Sequence, residues 1–77
     1  MYFKHDSSGN AYVELRSWDY GGKREFLRIT RVEKDVKKVN FRFQIRETNG
    51  QLRALGPEFP LEGFKDLINA LIKIKEI

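Results

Sequence analysis

The residues that could perform acid–base or nucleophilic chemistry are few and scattered in this sequence of 77 residues. His5 is the only histidine and lies in a stretch with the composition of a tail, where a solvated side chain is the simplest expectation. Ser7 and Ser8 have no neighbouring base, and Glu47 and Glu58 stand apart as solvated or arginine-paired carboxylates. We therefore expect no catalytic residues and no enzymatic activity.

Metal and cofactor chemistry has as little support. The chain contains no cysteine and a single histidine, which excludes disulfides and argues against a structural zinc site. Gly21 and Gly22 are not part of the G-x-x-x-x-G-K-[ST] motif of a phosphate-binding loop, so a turn is the simpler interpretation. We expect neither a metal ion nor a cofactor.

Arginine is the residue type whose placement does suggest a function. Residues 11–56 hold eleven basic and six acidic side chains, whereas the rest of the chain holds four basic and five acidic ones. All seven arginines lie within residues 11–56. Planar guanidinium groups bind phosphates through paired hydrogen bonds and also stack on bases. This distribution favours contact with a nucleic acid.

Alternating apolar and polar residues predict the strands that carry these arginines. Apolar residues occupy every second position in 13–15, in 27–29 and, most regularly, in 39–45. Asn49 and Gly50 form a strong hairpin signal, and a fourth strand over 52–55 would follow. The stretch 57–60 begins and ends with proline, which cannot donate to a strand ladder, so we expect the sheet to end there.

A C-terminal helix is predicted after this sheet. Apolar residues recur at helical spacing between Leu61 and Ile74, and Ile68 and Ile72 widen the stripe beyond what one sheet face needs. We predict an α+β fold, a four-stranded antiparallel meander followed by a C-terminal helix (ββββα) over residues 11–77. Residues 1–10 would be a tail or a short edge strand. Because so small a core is rarely stable alone, we expect a homodimer that associates through Ile68 and Ile72.

The strand register determines which side chains share a face. A three-residue loop at 20–22 would place Leu15 opposite Leu27, so that odd-numbered apolar residues form the core face, covered by the helix. A two-residue Asn-Gly turn would pair Ile45 with Ala54. Ala54 and its neighbour Leu52 would then face the core, and Arg53 would lie on the face opposite to it.

The other face would combine basic and aromatic side chains. The residues predicted to bind nucleic acid are Tyr12, Arg16, Trp18, Arg24, Phe26, Arg28, Arg42, Arg46 and Arg53. Arginines would hold the phosphates and rings would stack on bases, as in proteins that bind single strands with little sequence preference. Two other interpretations stay open. Such a face is polar in any antiparallel sheet, and it could instead meet an acidic or β-edge protein partner, as a protein–protein interaction module does.

The order of these elements resembles a known architecture. The carrying segments are 12–18, 24–31, 41–50 and 61–74. In order and residue character they resemble the fold shared by the PUR repeat, the PC4-type transcriptional coactivators and the whirly proteins, without a diagnostic motif. The resemblance implies two ββββα units paired through packed or exchanged helices, and single-stranded DNA or RNA bound on the curved sheet. For a chain with one unit, it implies a homodimer.

The sequence also carries an expectation about location. No apolar run approaches eighteen residues, and residues 1–10 show no signal-peptide pattern. We therefore expect a protein of the cytoplasm, nucleoid or nucleus that is not secreted and does not contact a membrane.

Overall fold

The computed structural model describes residues 2–16, 24–35 and 38–77. In these ranges the fold is α+β, as predicted, but it has more than four strands. The elements are β1 (Lys4–His5), β2 (Ala11–Arg16), β3 (Phe26–Asp35), β4 (Lys38–Arg46), β5 (Leu52–Ala54), β6 (Phe59–Pro60), a 3₁₀ turn (Leu61–Gly63) and α1 (Phe64–Lys75). The strands form one antiparallel sheet in the order β1-β2-β3-β4-β5, and β6 pairs with β4 beyond the end of β5.

The N-terminal residues contribute a short edge strand rather than only a tail. Lys4 and His5 of β1 pair with β2. The turn between the two strands is held by Asp6, whose carboxylate accepts hydrogen bonds from the backbone N–H groups of Ser8 and Asn10, both at 2.9 Å. Asp6 therefore organises the turn that returns the chain to the sheet, in the manner of an Asx turn.

The predicted register between the first two long strands is confirmed. Leu15 lies opposite Leu27, and Val13 lies opposite Ile29. The connecting residues 17–23, which include the predicted loop at 20–22, lie outside the described residues. The odd-numbered side chains of β2, β3 and β4 therefore share one face, because paired residues point to the same side of a sheet. We call this the apolar face, and its central members are Val13, Leu15, Leu27, Ile29, Phe41, Phe43 and Ile45.

The prediction for the β4–β5 hairpin is wrong by one residue. Ile45 pairs with Arg53, not with Ala54. Glu47 N–H donates to Gln51 O at 2.8 Å, so the loop between the strands has three residues, 48–50, instead of two. Within the loop, Gly50 N–H donates to Glu47 O at 2.9 Å. Gly50 has φ of 88°, and every other described residue with positive φ is also a glycine.

The backbone of the Asn-Gly pair explains this difference. A two-residue type I′ turn needs positive φ at both central residues, and Asn49 does not adopt it. Asn49 instead accepts a hydrogen bond on its side-chain oxygen from Gln51 N–H at 2.9 Å. The one-residue shift turns Leu52 and Ala54 to the side of Arg46 and Gln44, where both are exposed, and moves Arg53 to the apolar face.

The prolines interrupt the sheet but do not end it. After β5, Leu55 N–H still donates to Phe43 O at 2.9 Å. Gly56 then adopts φ of 80°, and pairing with β4 resumes at Phe59, opposite Phe41. Proline is tolerated here because an edge strand leaves one row of its N–H positions unused. The chain from β5 to β6 is therefore one broken edge strand along β4.

The helix does not cover the sheet as predicted. α1 follows the 3₁₀ turn, which contacts β4, but α1 itself makes little contact with any described strand. No residue of α1 is buried. The two buried side chains among the described residues are Thr30, 2% exposed, and Val32, 4% exposed. Both have even numbers, so the most buried positions lie on the face that the sequence predicted to be open.

Candidate nucleic-acid interface

Apart from the buried Thr30 and Val32, the even-numbered side chains of β2, β3 and β4 form a polar surface that we call the arginine face. The register places Arg28 between Glu14 on one neighbouring strand and Gln44 on the other. One pair further along, Phe26 lies between Arg16 and Arg46. The members of the arginine face are Tyr12, Glu14, Arg16, Phe26, Arg28, Arg42, Gln44 and Arg46. Three strands thus bring together six of the nine predicted binding residues.

A single carboxylate lies at the centre of this face. Glu14 accepts two hydrogen bonds from Arg28, from Nε at 3.1 Å and from Nη2 at 3.0 Å, both on Oε2. It accepts two more from Arg46, from Nε at 2.7 Å on Oε2 and from Nη2 at 3.2 Å on Oε1. The side chains of Glu14 and Arg28 are 12% and 15% exposed. The arrangement holds two cations side by side with one anion between them.

The same two arginines cover the aromatic rings of the face. The guanidinium carbon of Arg28 lies 4.0 Å from the centroid of the Tyr12 ring, and that of Arg46 lies 4.4 Å from the centroid of Phe26. Both distances are within the range of a cation–π interaction. The alternation of rings and arginines in the sequence therefore becomes direct ring–guanidinium contact across the strands.

Electrostatics keep this cluster ionised. Partial burial raises the pKa of the Glu14 carboxyl, but the hydrogen bonds and charges of Arg46 and Arg28 outweigh it, so that its pKa lies below the ordinary value. The hydrogen bond to Glu14 raises the pKa of Arg46 in turn. The Glu14–Arg28–Arg46 cluster therefore has a net charge of +1 at neutral pH.

A second carboxylate, that of Glu58, lies at the other end of the arginine face. Glu58, in the segment between β5 and β6, accepts hydrogen bonds from Arg42 Nε at 3.0 Å and Nη2 at 2.8 Å, and from Asn40 Nδ2 at 3.2 Å. Lys34 Nζ lies 3.0 Å from Glu58 Oε1, the oxygen that also accepts the hydrogen bond from Asn40. The hydrogen bond from Lys34, reinforced by those from Arg42 and Asn40, lowers the pKa of Glu58 to about 2.

The sequence predicted Glu58 to be solvated or paired with an arginine, and it does pair with Arg42, but the sequence did not place it on the arginine face. In the sequence it is one carboxylate between two prolines, and the strand pattern ends before it. Only the return of the chain to β4 at Phe59 brings it beside Arg42. The one available signal was that 57–60 combines an acid and an aromatic residue with its prolines.

The remaining predicted site residues are distributed differently. Arg16 is exposed at the end of β2 and forms no ion pair within the described residues, and Arg24 is exposed two residues before β3. Trp18 lies outside the described residues. Arg53 is a correction, because the three-residue turn places it with Ile45 on the apolar face, where its Nε donates to Glu47 at 3.2 Å.

A metal-binding cluster and a membrane-spanning helix are both absent from the described residues. They contain no group of three or more His, Asp or Glu side chains placed to hold a metal ion. Within the same ranges, no helix combines the length and the apolar composition needed to cross a membrane.

No protein-family model matches the chain. A search of curated proteins finds no match, and a search of solved structures finds none either.

Proposed function

We propose that the protein binds single-stranded DNA or RNA across the arginine face. The observation that carries this proposal is the direct stacking of two guanidinium groups on two rings at the surface of one sheet. Single-strand binding needs a cationic track for phosphates and flat surfaces for bases, and the arginine face supplies both within three adjacent strands.

The binding surface in this proposal differs from the sequence prediction at two described residues, Arg53 and Lys34. It keeps Tyr12, Arg16, Arg24, Phe26, Arg28, Arg42 and Arg46, together with Trp18 from the sequence alone. It leaves out Arg53, which lies on the opposite face. Lys34 joins it, because its ammonium group meets the same carboxylate as Arg42.

Exposure divides the arginines into two roles. Arg42 is 37% exposed and Arg46 is 31% exposed, so each can hydrogen-bond a phosphate with the N–H groups that its carboxylate partner leaves unused. Arg16 is exposed and has no carboxylate partner among the described residues. Arg28, only 15% exposed, positions Glu14 and Tyr12. Bases would stack on the rings and on the guanidinium planes that cover them.

The test is a fluorescence-anisotropy titration with matched single-stranded and duplex oligonucleotides at two salt concentrations. We expect single strands to bind more tightly, because duplex bases are already stacked on each other and cannot reach the rings. The affinity should fall with salt, by a slope of about 0.7 per phosphate contact on a single strand.

Two arginine variants distinguish binding by the arginine face from attraction by the net positive charge of the protein. Arg16→Ala removes an exposed cation of the face without leaving a described carboxylate unpaired, and it should weaken binding to all sequences and flatten the salt slope. Arg53→Ala removes the same charge from the apolar face and should leave binding nearly unchanged. Equal losses of affinity in both variants would show that the interaction is nonspecific attraction between charges. If the protein binds neither single strands nor duplex at low salt, the arginine face would be interpreted as a contact site for a protein partner.

Ring variants test the stacking part of the proposal. Phe26→Leu keeps apolar volume but removes the ring, and we expect a loss of about 1–3 kcal/mol in binding free energy with the salt slope unchanged. Trp18 is the only tryptophan, so its emission provides a second readout, and Trp18→Ala should show a loss of similar size. A Phe26→Leu variant that binds like the parent would contradict stacking on this ring.

A further inference from the structure

The three side chains that hold Glu58 make up the donor set of an anion-binding site. Arg42 donates to one carboxylate oxygen with Nε at 3.0 Å and Nη2 at 2.8 Å. Asn40 and Lys34 meet the other oxygen at 3.2 Å and 3.0 Å. A guanidinium fork, an ammonium group and an amide N–H are groups with which proteins also hold phosphates. The carboxylate of Glu58 therefore lies where a phosphate group would fit.

Lys34 reaches this site because β3 contains an extra residue. The register between β3 and β4 shifts between Glu33 and Asp35, so that Lys34 lies between them without a paired residue on β4. A β-bulge of this kind changes the direction of a side chain, and bulges are frequent next to active sites. Here the exposed ammonium group of Lys34 meets Arg42 across a single carboxylate.

The two carboxylates of the arginine face differ in how the chain holds them. Glu14 lies inside β2, opposite Arg28 on β3, and both side chains are largely shielded from water. Glu58 lies outside the strands, two residues after Gly56 with its φ of 80°, and its cations are more exposed. A change of side-chain rotamer removes Glu58 from these cations without breaking a strand pair. Glu58 is therefore the carboxylate that a ligand can displace.

Charge determines which kind of phosphate displaces Glu58. Lys34 and Arg42 each carry +1, and Glu58 compensates only one of these two charges. A phosphodiester carries one negative charge, as Glu58 does, so the exchange gains no charge compensation. A phosphate monoester carries about −1.5 to −2 at neutral pH and has three strong acceptor oxygens, so it compensates both cations.

We propose that Lys34, Arg42 and Asn40 bind the terminal phosphate monoester of a single strand of DNA or RNA. In the free protein Glu58 occupies this site, and it is displaced when the phosphate binds. The inference rests on the proposed function, because it adds a strand end to the same face. The site lies at the end of the arginine face opposite to Arg16, where a strand that follows the face terminates.

Anisotropy titrations with three single strands test this site. The first carries a 5′-phosphate and the second a 3′-phosphate, whereas the third has hydroxyl ends and is one nucleotide longer, so that all three contain equal numbers of phosphates. We expect one of the phosphorylated strands to bind about fivefold more tightly than the third, as for one strong exposed ion pair. Equal affinities would overturn the inference and leave the proposed function intact. If none of the strands binds, both proposals fail.

Two pairs of variants assign the preference to this site. Lys34→Ala should abolish the preference for a phosphorylated end, whereas Lys73→Ala, which removes the same charge from an exposed position on α1, should preserve it. Glu58→Gln removes the competing carboxylate and should tighten binding of the hydroxyl-ended strand by about two- to fivefold. Glu76→Gln makes the same change of charge at the exposed end of α1 and should have little effect.

Two results with these variants would overturn the inference even if the parent prefers a phosphorylated end. A preference that persists in Lys34→Ala would place the terminal phosphate elsewhere. Equal affinities of Glu58→Gln and Glu76→Gln for the hydroxyl-ended strand would show that Glu58 does not compete with a phosphate.

Discussion

Glu14 stabilises the arginine face because it separates two guanidinium groups that would otherwise repel each other. Both Glu14 and Arg28 are largely shielded from water. Removing one member of a partly buried ion cluster leaves the other charges without compensation, which is more costly than losing an exposed pair.

We expect Glu14→Ala to lower the free energy of unfolding by about 1–3 kcal/mol. Chemical denaturation at neutral pH measures this change. The matched control is Glu33→Ala, which breaks the exposed pair with Arg31 and should cost at most about 1 kcal/mol. Equal effects of the two substitutions would contradict a structural role for the Glu14 cluster.

Glu58 makes stability depend on pH in the acid range. Its pKa falls from the ordinary 4.5 to about 2 in the folded protein, because Lys34, Arg42 and Asn40 stabilise the carboxylate. A group whose folded pKa is depressed contributes stability that is fully present above its unfolded pKa and is lost as the pH falls toward its folded pKa.

The stability of the parent should therefore decrease between about pH 5 and pH 2, and Glu58→Gln should decrease less over that window. Denaturation at several pH values measures both slopes. The difference will be smaller than the pKa shift alone suggests, because Lys34 is 57% exposed and water screens its charge. Parallel pH profiles would show that the Glu58 cluster does not contribute to folding.

At the scale of the elements, the β4–β5 hairpin depends on the backbone of one glycine. Gly50 adopts φ of 88°, where an added Cβ has open space around it but strains the backbone. We expect Gly50→Ala to destabilise the protein by about 1 kcal/mol. Thr48→Ala, in the same exposed turn, should have little effect. If Gly50→Ala had the same melting temperature as the parent, the result would contradict a left-handed conformation at residue 50.

At the scale of the whole molecule, folding and association are expected to be linked. Since binding of a second copy stabilises only the folded state, the melting temperature should rise with protein concentration. Differential scanning fluorimetry across a hundredfold concentration range measures this. A melting temperature independent of concentration, with a monomeric mass, would show that the apolar face needs no partner for stability.

Local patterns in the sequence were sufficient to predict the long strands and the alternation of their side chains between the two faces of the sheet. Apolar residues at every second position determine which side chains share a face, so the Leu15–Leu27 pairing and most of the arginine face were predictable. The helix was predictable for the same reason, because its stripe has a period that no strand can have. These features depend on residues close together in the chain.

Features that depend on distant contacts were decided by the tertiary structure alone. The Asn-Gly pair permits both a two-residue and a three-residue loop. The protein adopts the longer one, in which Glu47 N–H donates to Gln51 O, and this moves Arg53 to the other face. Glu58 meets Arg42 only because the chain returns to β4 after the prolines. The sequence likewise did not predict the direction in which α1 leaves the sheet. Amphipathic periodicity specifies that a helix must cover its apolar stripe, but it does not specify whether its own sheet or that of another chain does so.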